Sequence, residues 1–184
     1  MKLWLRMVGF FTSLRLGRRG PLGPHDVSVV HFRVWPTDLD VLRHMNNGIY
    51  LTLLDLGRVD LLSRTGAWKR LKQLGIYPVV AAQTITYRKS LNPWMHFAVE
   101  TKLAGADARS VYIEQRFTVD GEVYARAWVR MRFLYDAGGP VPHAQLSQAF
   151  GFDLETTPAT VEMTQWADAV ALPSTRAEAP SIWS

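Results

Sequence analysis

The stretch Pro36-Thr37-Asp38-Leu39-Asp40-Val41-Leu42-Arg43-His44-Met45-Asn46-Asn47-Gly48-Ile49-Tyr50 decides the reading of this chain, because it leads from a strand into the one long helical signal in the sequence. Ahead of it, Val27 to Trp35 is rich in β-branched and aromatic residues and is halted by Pro36, the pattern of a first strand. Behind it, Asn46 or Asn47 is the N-cap of a helix reaching about Ser63, with Tyr50, Leu53, Leu54, Gly57 and Leu61 on one face. Ile49, Leu51, Leu56, Val59 and Leu62 make the other faces apolar too. Such a helix must be covered on most sides, as one wrapped by a sheet is. The stretch also sets carboxylates beside a helix N-terminus, where free N–H groups offer oriented donors and positive potential to an oxyanion or carbonyl oxygen. A capping loop, with Asp38 or Asp40 and the two asparagines satisfying backbone donors, fits the pattern equally well.

Downstream, a short helix over Trp68–Leu74 precedes four strands, Ile76–Lys89, Met95–Leu103, Arg109–Val119 and Glu122–Tyr135, separated by Asn92-Pro93, Gly105 and Asp120-Gly121. With no further helix between them the sheet is expected to be mostly antiparallel. The last two strands alternate with a period of two, and Gln115 alone breaks the apolar face. A two-residue Asp-Gly loop would send their apolar faces to opposite sides. A three-residue loop with Gly121 in a bulge is therefore expected, pairing Phe117 with Val123, Ile113 with Ala127, Glu114 with Arg126 and Tyr112 with Trp128. Beyond Asp136, His143–Phe150 reads as a short helix, while Pro158 onward is acidic and poorly patterned and the end from Leu172 reads as mobile.

The 184 residues suit one domain with extensions, and 48% hydrophobic against 20% charged residues is a globular composition. Three segments follow: a basic amphipathic arm over 1–24, a core domain over 25–136, and an acidic, partly helical extension over 137–184. The absence of cysteine removes disulfides, thiol nucleophiles and thiolate metal sites. The net charge of +5 lies in Lys2, Arg6, Arg15, Arg18 and Arg19, so it marks an arm rather than a basic folded surface, and nucleic acid is not an expected partner. Arg6 keeps the arm's apolar run far below the ~20 residues of a membrane span, and no small-residue cleavage site marks a signal peptide. On a helical wheel Lys2, Arg6, Gly9 and Ser13 form a polar stripe amid Leu3, Trp4, Met7, Phe10, Phe11 and Leu14. That suits either an interfacial helix making peripheral membrane contact through residues 1–20 or a helix packed on the domain.

The residues of the deciding stretch resemble the hotdog-fold acyl-CoA thioesterases of the 4-hydroxybenzoyl-CoA thioesterase type, whose pattern runs roughly D-x-D-x-x-G-H-x-N-N-x-x-Y. Asp38, Asp40, His44, Asn46, Asn47 and Tyr50 match it, and Arg43 stands where glycine is usual. The thioesterase superfamily member six subgroup is most similar, through Asp55 and Arg58 of a following D-x-x-R and through Tyr87-Arg88-Lys89-Ser90-Leu91. The resemblance implies an α+β hotdog fold, a long central helix wrapped by five or six antiparallel strands, assembled as a homodimer or a dimer of dimers. It implies hydrolysis of an acyl-CoA thioester, with coenzyme A arriving as part of the substrate and no separate cofactor.

Carried over by position, Asp40 is the catalytic carboxylate, as nucleophile or general base, and Asn47 supplies the oxyanion-holding N–H. His44 orients the loop or the attacking water, or else caps the helix. Asp38 reads as structural. Asn46, Gly48 and Tyr50 border the substrate, Arg88 and Lys89 are diphosphate contacts or a solvated strand end, and Arg43 is expected to narrow the pocket or bind a CoA phosphate. Asp55 and Arg58 read mainly as an internal ion pair. A cytoplasmic protein, peripheral at most to a membrane's inner face, is the expected setting. A non-catalytic acyl or lipid binder is the alternative, motivated by Arg43 and the basic arm, and an enoyl-CoA hydratase-like use of Asp40 and His44 is a minor one. G-x-S-x-G, P-loop and G-x-G-x-x-G motifs are absent, and the five histidines show no metal-ligand spacing.

Overall fold

The computed structural model describes residues 3–15, 19–174 and 177–181. Lys2, Arg18 and the last three residues, on which parts of the sequence reading rest, lie outside them, as do the side chains of Leu3, Trp4 and Arg15. Helix α1 (Leu3–Arg15) precedes strand β1 (Ser28–Arg33), a single 3-10 turn over Pro36–Asp38, helix α2 (Asn47–Arg64) and helix α3 (Ala67–Gln73). Strands β2 (Ile76–Tyr87), β3 (His96–Ala106), β4 (Val111–Val119) and β5 (Glu122–Tyr135) follow, then helices α4 (His143–Phe150) and α5 (Val161–Ala169). The strands form one antiparallel sheet in the order β1-β3-β4-β5-β2.

Helix α2 lies against one face of this sheet. Leu53, Leu54 and Tyr50 pack there with Val99, Phe117, Ala125 and Ala127, and Leu61 and Leu62 with Ile113, Val129 and Met131. Gly57 sets the closeness of approach, since a Cβ on it would stand 2.6 Å from Thr101 Oγ1 and 2.8 Å from Gln115 Nε2. Gln115, the polar break in the β4 face, fills its hydrogen-bonding capacity in that contact. Its amide donates to the Leu54 carbonyl and to Thr101 Oγ1 (both 2.9 Å) and accepts from Arg58 Nη1 at 2.7 Å.

The β4–β5 hairpin departs from the expected register. Asp120 and Gly121, at φ +48° and +81°, form a two-residue loop with Val119 opposite Glu122 and Thr118 opposite Val123. A bulge then leaves Tyr124 unpaired, and the ladder resumes with Phe117 opposite Ala125, Ile113 opposite Val129, Glu114 opposite Trp128 and Tyr112 opposite Arg130. The conflict between faces was real, but the extra residue sits in β5 rather than in the loop.

Residues beyond Asp136 join the core rather than trailing from it. Leu146, Ala149, Phe150 and Leu154 pack with Leu71 and Phe133, and Arg70 donates to the carbonyls of Ala149 (2.6 Å) and Phe150 (3.1 Å) at the end of α4. Helix α5, where the sequence showed no pattern, is capped by Thr160 and seats Met163 and Ala167 on Tyr112 and Trp128, on the sheet face away from α2.

The arm packs with one residue of its polar stripe, Arg6, turned inward beside Phe10. Arg6 and Phe10 are buried, whereas Met7, Val8 and Phe11 are exposed. The physical reason is a carboxylate: Arg6 Nη2 lies 2.7 Å from the buried Asp38. Among the described residues no helix is long and apolar enough to cross a membrane.

Candidate active site

The segment between β1 and α2 is a loop closed by rungs of backbone hydrogen bonds. Asn46 N–H donates to the Asp38 carbonyl (2.7 Å), Asp40 N–H to His44 (2.9 Å) and Arg43 N–H to Asp40 (3.0 Å). Arg43 has φ +63°, the left-handed conformation that closes a three-residue hairpin loop. Glycine at this position in the family pattern therefore answers a backbone requirement. The Arg43 side chain is exposed and lies outside the lining of the cleft.

Asp38 is buried and fixed. Its Oδ2 accepts from Arg6 and, at 2.9 Å, from Trp35 N–H. Asp40 is half-buried and differently used: its Oδ1 accepts from the N–H groups of Leu42 (2.9 Å) and His44 (3.3 Å), while its Oδ2 accepts no hydrogen bond among the described residues. One carboxylate oxygen thus orients the group and the other is open to chemistry.

The first turn of α2 makes a similar division. Asn46 is the N-cap; its side chain takes the Gly48 N–H (2.8 Å), and its carbonyl takes those of Ile49 (2.9 Å) and Tyr50 (3.4 Å). The Asn47 N–H alone has no acceptor among the described residues and keeps its capacity for an incoming oxygen. The cap belongs to Asn46, so His44 is not the capping residue. Its backbone N–H serves Asp40, and its exposed imidazole makes no hydrogen bond among the described residues.

Asp40, His44, Asn47, Tyr50, Arg88 and Lys89 line one cleft of about 360 Å³, whereas Arg43, Asn46 and Gly48 stay outside its lining. Leu42, Met45, Tyr87 and Ser90 complete it. Sequence reasoning did not nominate these four, although Tyr87 and Ser90 flank the Arg88-Lys89 pair and Met45 lies inside the motif. The inner wall is Tyr50, buried with its ring 5.0 Å from Tyr87 and 4.8 Å from Phe117, centroid to centroid. Burial pushes its hydroxyl up to about 12.

Arg88 and Lys89 reach the cleft because of the β5 bulge. The Tyr124 carbonyl accepts both of their backbone N–H groups, at 2.8 and 3.1 Å. Their side chains also share one carboxylate: Arg88 Nη1 lies 2.8 Å from Glu122 Oε1 and Lys89 Nζ 2.7 Å from Oε2. Hydrogen bonds from Lys89 and then Arg88 hold the Glu122 carboxyl below its ordinary value. Asp55 stays outside the cleft, pairing with the buried Arg58 on α2. No group of three or more His, Asp or Glu side chains among the described residues is arranged to hold a metal ion.

Compared with known proteins, residues 34–169 match the family described as the thioesterase-like superfamily. Protein THEM6 of Danio rerio is 33% identical over 141 residues, covering 75% of this chain and 69% of that protein. Protein THEM6 of Xenopus laevis is 43% identical over 84 residues, 46% of this chain, and the chain spans only 41% of that relative's length. Among solved structures, the probable thioesterase YbaW from Escherichia coli superposes with a TM-score of 0.64 at 21% identity, over 69% of this chain and 98% of that one. The BH1999 gentisyl-coenzyme A thioesterase does so at 0.57 and 23%, over 66% and 98%.

Fold and neighbours together define the class: a hotdog-fold protein. The chain belongs to the thioesterase-like superfamily.

Proposed function

We propose that this protein hydrolyses acyl-CoA thioesters to the free acid and coenzyme A, with Asp40 as the reacting carboxylate. The observation that carries this reading is the pairing of the open Asp40 Oδ2 with the open Asn47 N–H in one cleft. The thioester carbonyl oxygen accepts from Asn47 N–H, where the positive end of α2 stabilises the charge that develops on it. Asp40 Oδ2 gives its electron pair either to a proton of the attacking water, whose oxygen adds to the carbonyl carbon, or to the carbonyl carbon itself, forming a mixed anhydride that a water then hydrolyses to free Asp40 and the acid. In either route the thiolate leaves, takes up the proton that water gives up and departs as coenzyme A. His44, bordering the same cleft, orients that water. Arg88 and Lys89 meet the diphosphate, and Tyr50 closes the acyl end.

Thiol release from short, medium, long and aromatic acyl-CoAs, with wild type beside Asp40→Asn, tests the reading. Turnover falling about 10²–10⁴-fold in a folded Asp40→Asn protein supports it. Both forms inert but binding acyl-CoA would leave a non-catalytic acyl binder, and hydration of an enoyl-CoA without thiol release would leave a hydratase. Single turnover in ¹⁸O water tests the nucleophilic role, since water adding to the Asp40 carbonyl of the anhydride leaves label in the Asp40 carboxylate, which general-base attack never does.

Two copies are proposed to join along β2, an edge strand paired only with β5 that exposes Tyr77, Val80 and Tyr87. Sedimentation of the wild type beside a Val80→Pro variant tests this.

A further inference from the structure

Strand β1 is the other free edge of the sheet, and α1 lies along it. Val34 N–H donates to the Met95 carbonyl (2.9 Å) and the Val34 carbonyl accepts from Trp94 N–H (2.9 Å), so even-numbered residues here face β3. The alternation of an antiparallel pair then turns the backbone groups of Val29, His31 and Arg33 outward. Two of those outward carbonyls are taken by cations: Arg19 Nη2 donates to Val29, and Arg6 Nη2 to Arg33 at 2.9 Å.

Between α1 and β1 lies a groove of about 350 Å³ lined by Arg6, Gly9, Phe10, Ser13, Arg19 and His31, among others, and by no carboxylate. The neighbouring acids are already engaged, Asp38 with Arg6 and Asp60 with both Arg19 and Arg64, so positive charge is in surplus. The Arg6 side chain is only 6% exposed, yet its Nη1 finds no acceptor among the described residues. A buried donor left in this state is destabilising, and an incoming acceptor relieves it. The groove therefore gathers cationic and N–H donors, carries no carboxylate, and has Phe10 as an apolar wall.

The geometry points to a second binding site, distinct from the Asp40 cleft and sharing no lining residue with it, that takes an oxyanion head carrying an apolar tail. The head is a carboxylate or a phosphate, received by Arg6, Arg19 and the outward His31 N–H. The volume falls within the usual range of small-molecule sites, about 300–1,000 Å³. Two sources share this chemistry, a free acyl acid and the head group of an anionic lipid.

Gly9 supplies the test, because a Cβ there meets nothing within 4 Å and the substitution removes neither Arg6 nor Asp38. Titration calorimetry with sodium decanoate and with inorganic phosphate, and flotation with phosphatidylglycerol vesicles, are compared for wild type, Gly9→Glu and Val8→Glu. Val8 is 52% exposed and outside the groove's lining, so it carries the same charge elsewhere. Expected is saturable wild-type binding that weakens at least tenfold in Gly9→Glu and stays within twofold in Val8→Glu, with thiol release by Gly9→Glu unchanged. Decanoate binding identifies an acyl acid, and binding to vesicles alone a lipid head group. Failure of all three probes, or equal loss in both variants, overturns the assignment.

Discussion

Arg6 of the N-terminal helix and Asp38 of the loop before α2 form a buried ion pair, 2.7 Å from Nη2 to Oδ2, and the Asp38 carbonyl in turn receives the Asn46 N–H at 2.7 Å. The arm is thereby linked through two hydrogen bonds to the cap of the helix that offers Asn47 N–H. Removing one partner of such a pair leaves an uncompensated buried charge. Arg6→Met is expected to lower stability by about 3–5 kcal/mol, and Arg6→Met with Asp38→Asn to recover much of that. Urea denaturation of the two variants and the wild type checks both numbers.

Arg43 holds φ +63°, which a side chain disfavours by about 1–2 kcal/mol and glycine does not. Glycine also gives up more chain entropy on folding, about 0.5–1 kcal/mol. Arg43→Gly is expected to stabilise by a net amount no larger than about 1 kcal/mol, and thiol release should hold within about twofold because the side chain lies outside the cleft. A tenfold fall in turnover would return Arg43 to the substrate.

Glu122 competes with substrate for Arg88 and Lys89. Glu122→Gln frees both cations, and KM for an acyl-CoA is expected to fall severalfold with kcat unchanged, because the diphosphate is far from the reacting bond. The shift should shrink as salt is raised, since these side chains are roughly half exposed and screened. Steady-state kinetics at two ionic strengths decide it, and an unchanged KM would remove the pair from the binding site.

Tyr50 carries an alkaline signature. Its hydroxyl is raised from the ordinary 10.0 to about 12, so folding favours the neutral form. The associated stability is fully present below pH 10 and is lost as pH climbs through about 12. Burial raises Tyr112 and Tyr87 in the same sense. Stability measured from pH 9 to 12 is expected to fall, with a shallower slope in Tyr50→Phe than in wild type and some slope remaining from the other two.

The central helix was legible because its signals are local: an asparagine cap, a run of apolar residues on every face, and Gly57 at the point of closest approach. The cleft was legible in part. Asp40, Asn47 and Tyr50 come from one contiguous motif, whereas the presence of Arg88 and Lys89 depends on a bulge more than thirty residues further on, which no local pattern announces. The helical wheel left the two settings of the arm open for a related reason. A wheel assigns polar residues to water, and it holds no information that Asp38 waits as a buried partner for Arg6. In α5 the signal existed as Thr160 ahead of Met163, Trp166 and Ala167, but three apolar anchors over nine residues are a weak stripe.

The bulge at Tyr124 makes chain length around the β4–β5 turn a matter of odd and even. Adding or deleting one residue between Phe117 and Ala125 would exchange inside for outside along every later position of β5, turning Arg126, Trp128 and Arg130 toward α2. Two residues added together would leave the faces as they are and only lengthen the tip. Natural variation and grafted sequences at this hairpin should therefore come in pairs, unless a second bulge arises to compensate.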